Sequence, residues 1–380
     1  MEPCVSSLSP SPIAQARRII VKIGSALVAD EHGARQDWLN ALADDISTLK
    51  ARGHEIILVS SGAVALGRHS LGEDKPKRLE DKQAAASLGQ PLLMAALSAA
   101  FARVDTPVAQ ALLTLQDTEN RRRWLNARAT LDTLLKRGAL PVINENDTVA
   151  TDEIRYGDND RLAARVAQMV GADVLILLSD IDGLYTGDPR LDPNAEHVPL
   201  IREFTPELEA MAGDPNASAG VGSGGMVTKL AAAKIAWNAG CATAITLGQR
   251  IQPLQALVDG ERATWILPPL SPDKARQVWL RSHLNPEGTL LVDAGAVKAL
   301  AQGASLLPVG LVGVHGQFDR GAAVAVKGPG GVIAKGVTAY SSDDARKIIG
   351  QQSDTVEHIL GYRGRPAIVH RDDLVLDDSF

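Results

Sequence analysis

Residues 140–167 read LPVINENDTVATDEIRYGDNDRLAARVA: an apolar run, a polar loop and a helical pattern, in that order. Leu140-Pro141-Val142-Ile143 reads as a buried strand. Nine of the seventeen positions from 144 to 160 are Asp, Glu or Asn, and the loop closes on Gly157-Asp158-Asn159-Asp160. A polar cluster leaving the end of a strand lies where open α/β sheets bind their ligands. So many acceptors in one loop repel one another unless a cation, an ammonium or lysines balance them. The loop is therefore one half of a charged site, and the other half is expected to be basic.

Working outward, strand-like and helical runs alternate from about residue 17. Arg18–Ile23 precedes a helical pattern from Trp38 to Arg52, and Glu55–Val59 precedes the turn Ser60-Ser61-Gly62. A long Ala/Leu-rich helix spans Leu79 to Val104, with further strands at 108–114, 140–143, 174–178 and 244–247 and a helix over Val227–Asn238. This alternation predicts an α/β fold with a mostly parallel open sheet sandwiched by helices. Residues 1–16 are Ser/Pro-rich and read as a disordered tail, so the first domain spans 17–267. Proline density at Pro268-Pro269-Leu270-Ser271-Pro272 marks 268–286 as a linker. Short β-like runs with glycine turns then predict a small β-rich, barrel-like domain over 287–370, followed by an acidic tail at 371–380.

The chain has 380 residues, a net charge of −6, 45% hydrophobic and only 3% aromatic residues. An aliphatic core suits parallel α/β structure. The negative balance argues against a broad nucleic-acid surface. Cys4 and Cys241 lie too far apart for metal-ligand spacing, which fits a reducing cytoplasm. The N-terminus lacks a secretory pattern, and no run of about eighteen continuous apolar residues suggests a membrane span.

Four segments are candidates for the basic half. Lys22 sits at the end of an apolar strand before Gly24-Ser25; it is either an edge lysine reaching solvent or a ligand contact. The turn Ser60-Ser61-Gly62-Ala63 opens a helix and is either an ordinary Ser cap or an anion contact. Gly220–Gly225 formally matches G-x-G-x-x-G, but no strand precedes it, and Lys229 is not preceded by glycine as a Walker A motif requires. What remains is a glycine loop entering a helix whose first turn carries Thr228 and Lys229. A lysine there opposes the helix dipole unless an anion lies between them. Ser179-Asp180 follows the strand Val174–Leu178, a position suited to nucleotide contacts or to a turn.

Together IIVKIGS (19–25), LVSSGAVALG (58–67), LPVINENDTVAT (140–151), YGDNDRLAA (156–164), LLSDIDGLYTGDPR (177–190) and GSGGMVTKLAAA (222–233) resemble the amino-acid kinase family, and residues 287–365 resemble a PUA domain. The resemblance implies ATP-dependent phosphorylation of the L-glutamate γ-carboxylate to γ-glutamyl phosphate. That is the first step of proline biosynthesis, usually inhibited by L-proline. It implies Lys22 and Lys229 as the residues holding the transferring phosphoryl group and Asp160 as the residue positioning them. Ser61, Asn144, Asp147, Asp158 and Asn159 resemble the glutamate-binding set. Lys22, Ser179, Asp180, and Ser223, Gly224, Gly225, Met226, Val227, Thr228 and Lys229 resemble the ATP-contacting set. Mg²⁺ is expected to enter with ATP, without a dedicated protein ligand. A homodimer or homotetramer is expected. The alternatives are another acceptor within the same family, or RNA binding through the PUA-like domain. Its eight Lys/Arg against seven Asp/Glu over 287–365, without a basic run, weigh against RNA.

Overall fold

The computed structural model describes residues 11–72, 76, 78–150, 159–212, 225–283 and 285–377. The chain divides into two compact units. The first runs to Pro272 apart from Arg121–Leu125; the second holds those residues and everything from Asp273.

In the first unit, eight strands form one sheet: β1 (Arg18–Ile23), β2 (Glu55–Ser60), β3 (Val108–Leu113), β4 (Leu140–Glu145), β5 (Val174–Ser179), β6 (Leu200–Ile201), β7 (Ala242–Leu247) and β8 (Ala263–Ile266). Their order is β6-β8-β7-β5-β1-β2-β4-β3, and every neighbouring pair is parallel except β7 with β8. Every residue of β4 and β5 is buried, the continuous apolar texture of a sheet covered on both faces. The chain leaves β1 towards β2 on one side and later returns to β5 on the other. Strand order therefore reverses at β1, where a crevice opens beyond the strand ends.

Strand parity divides the core. Ile19, Val21 and Ile23 join one cluster with Trp38, Leu39, Leu42 and Ile46 of helix α1 (Gln36–Ala51) and with Leu93, Leu97 and Phe101 of a helix at Leu79–Ala102. Alternate side chains point to opposite faces of a strand, so Lys22 shares the other face with Ile20. Helix α2 (Ala63–Gly67) follows Gly62, whose φ of 109° is a left-handed turn. Helix α3 (Leu79–Ala102) lies backbone to backbone against α2. A Cβ built on Gly67 would stand 1.9 Å from the Ala85 carbonyl oxygen, and one on Gly89 would stand 1.8 Å from that of Ala63. By length and composition α3 is apolar enough to cross a membrane. Here Ala85, Ala86, Gly89, Leu93, Leu97, Ala100 and Phe101 are buried within the unit.

The second unit contains a five-stranded mixed sheet: β9 (Gly288–Val292), β10 (Leu311–Gly316), β11 (Ala323–Gly328), β12 (Gly331–Thr338) and β13 (Val369–Leu376), in the order β10-β9-β11-β12-β13. Leu290, Val292, Val324, Val326, Ile333, Tyr340 and Ile368 form its core.

Three expected boundaries differ from the structure. Residues 1–10 lie outside the described residues, but Pro12–Gln15 is a helical turn, and Ile13 and Ala16 are buried in the first unit's core rather than in a tail. The expected linker contains a helix at Pro272–His283, whose Leu280 packs with Ala323 and Val375; proline-rich flanks concealed it. The expected acidic tail supplies most of β13. Asp373 there is buried and paired with Arg276, so acidity hid a strand that alternates Leu374 and Leu376 with Val375.

Candidate active site

Helix α4 (Asn159–Val170) begins directly after the polar loop and packs on the face of β1 that carries Lys22. Its second residue, Asp160, is fully buried. One carboxylate oxygen, Oδ1, lies 2.5 Å from Lys22 Nζ, and the other, Oδ2, lies 3.3 Å from Lys229 Nζ. Lys229 belongs to the first turn of helix α5 (Met226–Asn238), which packs against α4. Both lysines are 6% exposed. Two ammonium groups from distant parts of the chain thus converge on one carboxylate at the crevice. One carboxylate thereby brings two lysine side chains together in a buried, low-dielectric setting. An acid in the first turn of α4 is also favoured by that helix's dipole.

Asn159, the residue before Asp160, is 5% exposed. Its Nδ2 lies within donating distance of the Ser60 carbonyl (2.7 Å), Ser61 Oγ (2.9 Å) and Asn144 Oδ1 (2.9 Å). Asn144, buried near the end of β4, also receives the Glu145 N–H on Oδ1 at 2.9 Å and donates through Nδ2 to Gln90 Oε1 of α3 at 2.7 Å. The ends of β2 and β4 and the start of α4 are therefore joined by side-chain amides. Asp147 lies in the turn after β4, with Ala150 N–H donating to its carbonyl at 3.3 Å. Burial pushes the Asp147 carboxyl up to about 6. Burial, and then the charge of Asp147, push Glu145 up to about 7.

At the end of β5, Ser179 Oγ donates to Asp180 Oδ1 at 3.1 Å, and Asp180 lies 3.8 Å from Arg190. Lys22 pairs in register with Val59 and Leu177, so Ser179 lies just beyond it along the adjoining strand. Gly225 caps α5, Thr228 Oγ1 donates to the Gly225 carbonyl at 2.8 Å, and Met226 and Val227 are half-buried in the same turn. Asp158, Ser223 and Gly224 lie outside the described residues. The structure thus joins Lys22, Asp160 and Lys229 in one cluster and Ser61, Asn144 and Asn159 in another. Two side chains not singled out from the sequence stand beside them: Glu145, lost among its acidic neighbours, and Gln90, one amide in an Ala/Leu-rich helix.

A model of the amino acid kinase family matches residues 17–246, and one of the PUA domain matches residues 288–360. The chain is 59% identical to the glutamate 5-kinase of Paramagnetospirillum magneticum over 370 residues, 97% of this chain and 100% of that one. It is 54% identical to the glutamate 5-kinase of Caulobacter vibrioides over 376 residues, 98% and 100% of the two chains. It is 55% identical to that of Rhizobium etli, covering 97% and 95%. The chain belongs to the amino acid kinase family and, within it, to the glutamate 5-kinases.

Proposed function

We propose that the protein transfers the γ-phosphoryl group of ATP to the side-chain carboxylate of L-glutamate, giving γ-glutamyl phosphate. This reading makes it the first enzyme of proline biosynthesis in the cytoplasm, inhibited by L-proline and working as a homo-oligomer. The observation that carries it is the buried Asp160 gathering Lys22 and Lys229 at the crevice.

A glutamate side chain has an ordinary pKa of about 4.3 and is ionised at neutral pH, so the nucleophile needs no base. The barrier is electrostatic: a carboxylate must approach a triphosphate. Two lysines, fixed before the substrates arrive, offset that repulsion and the charge growing on the leaving oxygen. Ser179, Asp180 and the turn Gly225–Lys229 serve the nucleotide, together with Ser223 and Gly224. Both oxygens of Asp160 already face lysines, so Mg²⁺ is assigned to the nucleotide phosphates, where it supplies further neutralising charge.

Ser61, Asn144, Asp147, Asp158 and Asn159 serve the amino acid. Asp147 suits its α-ammonium, whereas amides and backbone N–H groups suit its α-carboxylate. Replacing Asp147 by alanine should raise the KM for glutamate roughly 10–100-fold, the loss of a hydrogen bond to a charged group, and leave that for ATP almost unchanged. Equal shifts in both constants would refute the assignment. The ammonium needs the ionised carboxylate, so the KM for glutamate should also rise as pH falls through about 6.

The folding linkage has the opposite sign. A carboxyl raised on folding stabilises below its unfolded pKa, and that contribution is lost as pH rises through the folded value. Asp147→Asn should therefore melt a few degrees above the parent at pH 8, with the difference vanishing near pH 4. Hydroxamate trapping of an acyl phosphate from ATP and glutamate, with N-acetylglutamate and aspartate in parallel and proline added, tests the proposal. No trapped product from glutamate would overturn it.

A further inference from the structure

Three side chains of α3 hold the acceptor loop. Gln83 Nε2 donates to the Ala150 carbonyl at 3.0 Å, Ser87 Oγ lies 3.2 Å from Thr148 Oγ1, and Gln90 Oε1 accepts from Asn144 at 2.7 Å. Spacings of four and three residues put them on one face of the helix. The same helix meets α2 through Gly89, adjacent to Gln90, and α2 follows the Ser61 turn. One helix therefore braces both the Ser61 turn and the loop after β4.

Gln90 also holds the Asn144 amide in the one orientation its backbone neighbour allows. An amide has an acceptor oxygen and a donor nitrogen of nearly equal shape, and a half-turn exchanges them. The Glu145 backbone N–H requires Oδ1 of Asn144 on its side, and Gln90 Oε1 accepts from Nδ2 on the other, so Oδ1 faces Asn159. The Ser60 carbonyl likewise requires Nδ2 of Asn159 on its side. Among the described residues, Asn159 Oδ1 is buried and without a hydrogen-bond partner, as is Gln90 Nε2. A buried acceptor left without a donor is unfavourable, and it is accounted for where a bound group completes it.

We propose that Gln90 is a positioning residue for the amino-acid substrate: it holds the Asn144 side chain against Asn159, whose Oδ1 is offered to a donor, the α-ammonium. This rests on the reading of the protein as a kinase of glutamate. Gln90 itself does not touch the reacting atoms; it acts through two amides.

The test is steady-state kinetics of Gln90→Leu and Gln90→Glu with the full-length protein, each also melted to establish folding. The leucine removes the acceptor, and the glutamate retains one at the same reach. Gln90→Leu should raise the KM for glutamate roughly tenfold, with the KM for ATP and kcat at saturating glutamate within about twofold of the parent. Gln90→Glu should recover most of the loss. Parallel changes in both KM values, or a glutamate variant no better than the leucine one, would overturn the proposal. Should Gln90→Leu not accumulate folded, Gln90→Met, whose thioether accepts only weakly, takes its place. Failure of the kinase reading itself would show differently, as no acyl phosphate from the unaltered protein.

Discussion

Lys229→Ala is expected to lower kcat by about 10²–10³-fold, the effect of removing one preorganised charge from a phosphoryl-transfer site. The size follows from the setting. Lys229 Nζ lies 3.3 Å from a carboxylate that is fully buried, and the lysine itself is 6% exposed, so its charge is little screened by water. It is held before substrate binds, and no reorganisation is needed as charge moves onto the leaving oxygen. The KM for glutamate should change little, because the proposed amino-acid side of the site is the separate cluster of Ser61, Asn144 and Asn159. A near-parental kcat with both substrates saturating would remove Lys229 from the mechanism. Lys229→Arg should recover only part of the loss, since a planar fork replaces a compact charge.

Asp160→Ala combines a catalytic and a structural loss. Breaking a buried ion pair by deleting one partner costs about 3–5 kcal/mol, because the remaining charge stays buried and uncompensated. Here both lysines would lose the carboxylate they share. The melting temperature should fall by about 6–20 °C, taking about 2–4 °C per kcal/mol for a unit of this size. The catalytic constant should fall at least as far as in Lys229→Ala, because both lysines lose their anchor. One further sign separates this account from simple loss of packing. An anionic nucleotide restores the missing negative charge, so ATP should raise the melting temperature of Asp160→Ala more than that of the parent. An equal shift in the two proteins would mean that Asp160 does not hold the lysines.

Much of this architecture is legible in the sequence, for identifiable physical reasons. A parallel sheet covered on both faces writes unbroken apolar strands, and Leu140–Ile143 and Val174–Leu178 are such strands. The polar cluster stands out because acidic and amide side chains in such number need a counter-charge. Lys22 is visible as a lysine within an apolar strand. Its convergence with Lys229, more than two hundred positions away, has no local signature, and the link through Asp160 came from resemblance rather than from spacing. Gln90 was illegible for another reason: an amide in a helix of alanines and leucines is chemically unremarkable until its partner on β4 is known. The second unit hid its edges. Residues 371–380 read as an acidic tail, but the Arg276 side chain lets Asp373 sit inside a strand.

Asn159 and Asp160 are consecutive residues, so the group proposed to face the acceptor amino acid and the group gathering the lysines share a peptide bond. Their Cα atoms stay about 3.8 Å apart whatever moves elsewhere in the chain. The first turn of α4 thereby acts as a gauge. The span from an amino group at one residue to a phosphoryl group at the other's lysines is set by rigid backbone, with no hinge between. An acceptor with one methylene fewer falls short by about one carbon–carbon bond, ~1.5 Å. Misplacement by about 1 Å is enough to cost a hundredfold in rate. A single helix end can in this way tell aspartate from glutamate without touching the carbon that distinguishes them.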